Sequence, residues 1–181
     1  EGLIYKGFRL ANWDVKLQTA LSDLEVVSNE EQGKLWEISY KTDLGDIVVA
    51  TTRPETMLGD VAIAVNPNDK RYKKFINKKA FIPLINKEIP IIGDSYVDME
   101  FGTGCLKITP GHDFNDFEIG QKNNLPIINI MKKNGTLNSN VPKKFRSLSM
   151  LEARKKILKD LRESGDLISE KDHMITIPRS D

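Results

Sequence analysis

The sequence predicts a mixed α/β fold, a β-barrel-like core of short strands decorated by helices, and three observations predict it. Strand-like apolar runs are numerous and short, and few of them are separated by long helices. Only one long, fully capped amphipathic helix stands out, near the C-terminus. The chain of 181 residues is long enough to bury a core as one compact domain without disulfides.

In chain order, the stretch through Val27 mixes short apolar pieces with turn signals and predicts an arm and a connecting strand. Trp36 to Tyr40 alternates apolar and polar with period two, the mark of a half-buried strand. Asp46 to Thr51 is β-branched and apolar, hence a buried strand, with Asp43-Leu44-Gly45-Asp46 as the hairpin turn before it. Further strands are expected at Val61–Val65, Ala80–Ile82, Glu88–Ile92, Cys105–Ile108 and Pro126–Ile130. Short helices are expected at Pro54–Leu58, started by proline and ended near Gly59, and at Asn68–Phe75. Phe114–Lys122 reads as a helix capped by Asp113 and closed by Asn123-Asn124. Met150–Ser164 carries a Ser149/Glu152 capping box, a stripe of Leu151, Ile157, Leu158 and Leu161, and a stop at Gly165.

The 27 basic and 26 acidic residues leave a net charge of +1, so the average does not announce a nucleic-acid binder. Basic residues nevertheless gather at Lys70 to Lys79, Lys132-Lys133, Lys143 to Arg146 and Arg154 to Lys159. No apolar run reaches the length of a membrane span and the first residues lack a signal pattern, which predicts a protein of the cytoplasm. The single cysteine, Cys105, excludes an internal disulfide framework, and with only two histidines a structural zinc site is not expected. Glu1 at the start and Ser180-Asp181 just after an apolar run read as the ends of a piece of a larger protein.

Two polar segments about fifty residues apart carry the candidate chemistry: Thr51-Thr52-Arg53-Pro54-Glu55-Thr56, and Gly102 through Asp116. Each joins a strand-like run to a helix start, where backbone N–H groups also point outward. Asp113 and Asp116 fall in the first turn of a helix, where ionised carboxylates are favoured. Lys107 and Thr109 alternate on one strand and face one side, with Leu106 and Ile108 supplying core from the other. A lysine so placed meets either an ion-pair partner or a ligand. Thr51 and Thr52 exceed what a helix cap needs, and Arg53 is suited to a two-pronged contact with phosphate or carboxyl oxygens.

Two sharper readings compete with this one. Cys105 and His112 suggest a thiol hydrolase, although a small buried cysteine is the commoner case. His112, Asp113 and Asp116 suggest a metal-dependent phosphohydrolase, although no second histidine pair completes the ligand set. No serine stands in a nucleophile-elbow sequence.

The run from Thr51 to Pro67, with Thr-Thr-Arg-Pro-Glu-Thr then Met-Leu-Gly-Asp, and the run from Tyr96 to Leu125 resemble the editing domains of valyl-tRNA synthetases. The likeness reaches Asn12-Trp13-Asp14, Ser22-Asp23-Leu24-Glu25-Val26 and Ile177-Pro178-Arg179, so it covers nearly the whole chain. Isoleucyl relatives usually carry tryptophan and leucyl ones aspartate where Glu55 stands, which favours the valyl kind. The resemblance implies one editing domain over residues 1–181, with a barrel core at about 33–146 and a C-terminal helix and exit strand at 147–181. It implies hydrolysis of threonine wrongly esterified to tRNA(Val), with the tRNA acceptor end and the rest of the parent synthetase as partners, or else a tRNA-binding insertion without hydrolysis.

By position, the resemblance implies that Asp116, with Asp113 beside it, binds the α-amino group of the substrate. Lys107 and Thr109 would recognise the threonine hydroxyl, Arg53 and Phe101 would line the adenosine end, Thr51 and Thr52 would border the ester, and His112 would complete the pocket. No cofactor or metal is implied for this step; ATP and Mg would belong to a synthetic domain whose signatures are absent here. Gly111 departs from the alanine common in the family and is expected to loosen the turn before His112.

Overall fold

The computed structural model describes residue 4 and residues 7–180. Residues 1–3, 5 and 6, in the expected N-terminal arm, and Asp181, at the close of the expected exit segment, lie outside the described residues. The arm contains a small ribbon, β1 (Asn12–Asp14) antiparallel to β2 (Thr19–Leu21).

The body is a seven-stranded sheet of β3 (Val26–Thr42), β4 (Ile47–Thr51), β5 (Ala62–Val65), β6 (Lys79–Ile82), β7 (Lys87–Gly93), β8 (Cys105–Ile108) and β9 (Leu167–Ser180). Its order is β4-β3-β6-β7-β5-β8, with β9 paired to β3. Only β5 and β7 pair in parallel; the other ladders are antiparallel. The ends of this path, β4 and β8, lie against one another. The sheet therefore curls into the nearly closed barrel that the many short strands predict.

Ile38, Tyr40, Ile47, Val49, Ile63, Val65, Ile82 and Ile91 fill the barrel. Helix α2 (Met150–Ser164) adds Ala153, Ile157 and Leu161 to the same core. β5 is buried on both faces: its alternate residues Ala62 and Ala64 pack with Ile108 and Ile119 beneath helix α1 (Phe114–Lys122). That double burial explains why Val61 to Val65 reads as an unbroken apolar run.

Several expectations need correction. The strand expected at Trp36–Tyr40 is the inner end of 17-residue β3, whose outer half is mostly polar and pairs with β9 from Val26↔Ser180 onward. Cross-strand ion pairs, Arg179 with Glu31 at 2.5 Å and Lys171 with Glu37 at 2.7 Å, suit this solvent-facing ribbon, where alternation of apolar residues is not required. Pro126–Ile130 is not a strand: the Asn129 carbonyl accepts from the side chains of Asn138 and Asn140, and the Ile130 N–H donates to His112, so its backbone groups find partners outside any ladder. Asn68–Phe75 is a set of turns with 3-10 helix only at Lys73–Phe75, because the Asp69 carboxylate holds the Arg71 N–H in a local turn. Leu151 is 67% exposed; it lies six residues, or about 240° of helix, from Ile157, and Ala153 takes the buried place instead. On β8, Leu106 is only partly buried, while Lys107 points with Cys105 toward the barrel interior.

Candidate functional site

The two polar segments meet. β4 delivers Thr51 to the barrel rim, and Pro54 then starts a 3-10 turn, Pro54–Gly59, whose residues are all buried. β8 delivers Lys107 to the adjoining rim, and the turn at Thr109–Gly111 leads into α1. Asp113 caps α1 with Oδ1 accepting the Asn115 and Asp116 N–H groups at 2.9 and 3.0 Å. Lys122 and Asn123 at the other end of α1 donate to Asp94 Oδ2, fixing the helix against the β7–β8 connection.

Between these elements lies a cavity of about 220 Å³. All nine candidates line it: Thr51, Thr52, Arg53, Phe101, Lys107, Thr109, His112, Asp113 and Asp116. Thr56, Tyr96 and Asn115, which the sequence reading passed over, line it too. It is smaller than the roughly 300–1,000 Å³ of clefts that take drug-sized ligands, a scale that suits an amino-acid group. A larger cleft of about 590 Å³ adjoins it and shares Thr52, Arg53, His112 and Asp113.

Asp116 is 5% exposed, and its Oδ2 accepts the Thr109 N–H at 2.8 Å. Burial lifts its carboxyl to about 7 against the opposing pull of Lys107, with the Asp113 charge adding to the rise. Its other oxygen has no hydrogen-bond partner among the described residues. His112 accepts the Ile130 N–H on Nε2 at 3.0 Å, which leaves its proton on Nδ1. Burial, reinforced by the charges of Arg53 and Lys107, lowers its pKa to about 4, so the ring is neutral at pH 7. The carbonyl of His112 accepts from Arg53 Nη1 at 2.8 Å, bridging the two segments. Thr51 Oγ1 accepts the Arg53 N–H at 3.1 Å and shapes the turn before Pro54.

Lys107 is 7% exposed and surrounded. Its Nζ donates to Thr109 Oγ1 at 2.6 Å, Thr56 Oγ1 at 2.8 Å and Asp60 Oδ1 at 3.3 Å. Asp60 is fully buried and also accepts from Thr109 Oγ1 at 2.6 Å and Tyr40 Oη at 2.7 Å. Burial raises the Asp60 carboxyl, and Lys107 is the first of the neighbours that oppose the rise. Phe101 stands 57% exposed at the mouth, edge-on to His173 of β9 at 6.0 Å.

Sequence reasoning missed Asp60, although the signal was present. An aspartate at the threshold of the all-apolar run Val61–Val65 has no solvent to face and needs an internal cation. It also missed the pairing of Glu55 with Arg154, for which no local signal exists. Gly111 is not a loosened turn: a Cβ there would stand 2.4 Å from the Ile128 carbonyl oxygen, so glycine lets residues 128–130 approach His112 closely. Cys105 is a core residue, 5% exposed, its thiol pushed by burial up to about 12, which removes the thiol-hydrolase reading. Among the described residues no three of His, Cys, Asp and Glu are grouped to hold a metal ion. No helix among them is long and apolar enough to cross a membrane.

A family described as leucyl-tRNA synthetase, editing domain, matches residues 70–155. Valine-tRNA ligases of Coxiella burnetii, Dechloromonas aromatica and Legionella pneumophila are 56%, 54% and 52% identical over 100% of this chain. The chain spans about a fifth of their length, 20%, 19% and 20%. A LeuRS of Agrobacterium radiobacter K84, solved as a ternary complex with tRNA and LeuAMS, superposes with a TM-score of 0.59 at 18% identity, over 84% of this chain and 21% of that one. The GlLeuRS-CP1 crystal structure gives a TM-score of 0.57 at 12% identity, over 75% of this chain and 98% of that one. At such identities the two structures show a shared fold.

Proposed function

Because the chain belongs to the editing-domain family of the aminoacyl-tRNA synthetases, on its valine-tRNA ligase side, we propose that its cavity hydrolyses the ester of threonine misattached to tRNA(Val). One observation carries the reading: two segments distant in sequence close around a cavity of amino-acid size, with a buried carboxylate on one wall and hydroxyls on another.

In this reading the substrate's α-ammonium sits against Asp116, with Asp113 beside it. A cation there would favour the ionised form of a carboxyl that burial, with the Asp113 charge adding and Lys107 opposing, holds near 7. The hydroxyl wall built on Lys107 and Thr109 receives the threonine side chain, and Thr51 and Thr52 border the ester. Arg53 and Phe101 take the terminal adenosine, toward the larger adjoining cleft. His112, neutral and tied to Ile130, serves as a fixed wall.

The chemistry is attack of water on the ester carbonyl without a covalent enzyme intermediate. An aminoacyl ester is already reactive, so orientation and electrostatic stabilisation carry the step, assisted by the free hydroxyl of the terminal ribose. We assign no cofactor or metal to it; ATP and Mg would serve a synthetic domain of the parent. Such a site is needed because an apolar pocket for valine rejects threonine only about a hundredfold, a general figure for this pair of side chains. A pocket with polar groups reverses the choice, since valine leaves them unpaired at about 1–3 kcal/mol each.

The test is deacylation of threonyl-tRNA(Val) beside valyl-tRNA(Val), with and without chelator. Selective, chelator-insensitive loss of threonine is expected. Binding of both without loss from either would leave a tRNA-binding insertion, and loss abolished by chelator would restore the metal-dependent hydrolase.

A further inference from the structure

We propose that Asp60, which does not line the cavity, is a positioning residue that makes the site read the substrate's side-chain hydroxyl as a hydrogen-bond donor. The inference rests on the cavity being an ester-hydrolysing site for a hydroxyl-bearing amino acid. It follows from counting donors and acceptors in the buried network.

A lysine ammonium has three N–H groups and accepts nothing. Those of Lys107 point at Thr109 Oγ1, Thr56 Oγ1 and Asp60 Oδ1, so none remains for a ligand. Asp60 receives donors from Tyr40, Thr109 and Lys107, and among the described residues its carboxylate donates to none, which fixes it as an acceptor. The Thr109 oxygen takes an N–H from Lys107, so its own hydrogen goes to Asp60 at 2.6 Å. The Thr56 oxygen likewise takes an N–H from Lys107, so its hydrogen goes to the carbonyl of Arg53 at 2.9 Å.

Both threonines line the cavity, and both are turned the same way: each hydroxyl hydrogen is committed to an acceptor within the protein, and each oxygen, after taking one Lys107 N–H, has one lone pair unused. This wall therefore accepts a hydrogen bond and cannot return one. A substrate O–H is satisfied; a methyl leaves the lone pairs dry, and a group that only accepts meets them with repulsion. Lys107, in this arrangement, orients the two hydroxyls and does not itself touch the substrate hydroxyl. Asp60 completes the device, because without its charge the Thr109 hydrogen is free to turn toward the cavity.

The test acylates tRNA(Val) with threonine, with 2-aminobutyrate, which lacks the hydroxyl, and with 2-amino-3-fluorobutyrate, whose fluorine replaces the hydroxyl without a proton. The unaltered chain should hydrolyse the threonyl ester at least tenfold faster than either analogue, with the fluoro ester no better than the aminobutyryl one. A fluoro ester hydrolysed within threefold of threonyl overturns the donor reading while leaving the ester-hydrolase reading standing. Failure on threonyl itself, with binding shown, overturns both. Asp60→Asn should bring the threonyl to aminobutyryl ratio close to one; an equal loss on both substrates, with the ratio kept, would mean a merely structural role and overturn the assignment. Should that variant not fold, the three esters on the unaltered chain decide.

Discussion

Glu55 and Arg154, 99 residues apart in sequence, join in a two-pronged ion pair with Nε–Oε2 and Nη2–Oε1 both at 2.7 Å. Glu55 lies in the buried 3-10 turn that follows Arg53, and Arg154 lies in α2, its guanidinium 5.6 Å from the centre of the Trp36 ring. The pair thus ties the site's first segment to the helix that closes the core. The side chain of Arg154 is 27% exposed while Glu55 is 2% exposed, so losing the arginine leaves a buried carboxylate with only the longer contact to Arg53 Nε at 3.9 Å. Arg154→Ala should cost about 3 kcal/mol, the low end of the range for broken buried pairs because one partner is part-exposed. Urea denaturation measures it, and an unchanged midpoint would show that Glu55 finds another partner.

Asp116→Asn removes the charge expected to hold the substrate's ammonium. Threonyl-ester hydrolysis by the unaltered chain should rise as pH passes about 7, where the carboxyl ionises. In the variant that rise should vanish and kcat/KM should drop at least a hundredfold at pH 8. A variant that deacylates threonyl-tRNA at the parent rate removes the amino-anchor role.

The same carboxyl and His112 should act oppositely on stability. Asp116 has its pKa raised on folding, so its contribution is present at low pH and lost as pH rises toward about 7. His112 has its pKa lowered on folding, so its contribution is present above about 6.5 and lost as pH falls toward about 4. Between those values the two slopes have opposite signs and largely offset one another. Thermal melts of Asp116→Asn should show stability rising with pH across this window more steeply than in the parent, and His112→Gln should show the reverse tilt. Parallel profiles for all three proteins would contradict the burial of these groups.

Phe101 stands largely in solvent at the mouth of the cavity, its ring edge-on to that of His173. If it stacks on the terminal base, Phe101→Ala should raise KM for the charged tRNA about tenfold, from roughly 1–3 kcal/mol of lost stacking. The melting temperature should barely move. A large fall in stability with KM unchanged would make Phe101 a packing residue.

Phe145 and Ile157, fully buried in the barrel core, set the scale for comparison. Phe145→Ala should cost about 3–5 kcal/mol and Ile157→Ala about 2–5 kcal/mol through lost burial and the cavity left behind. Calorimetry or urea denaturation would show whether the C-terminal helix is part of one cooperative core.

The sequence by itself determined the local structure whose causes lie within a few residues. The Ser149/Glu152 capping box, the Asp113 cap and Gly165 in the left-handed region at φ +79° place α2 and α1 where the pattern says. A β-branched run places β4 and short strand-like runs place β5 and β8, and the two polar segments hold every candidate site residue but Phe101, which immediately precedes the second. Tertiary structure decided what depends on partners distant in the chain. The polar half of β3 is a strand because β9 pairs with it, and Pro126–Ile130 is not one because His112 and two asparagines take its backbone groups. Lys107 faces the barrel interior because Asp60, 47 residues away, supplies the compensating charge. Short-range caps and periodicity act through neighbours that the sequence lists in order, whereas a buried charge is settled only by whichever opposite charge the closed barrel brings beside it.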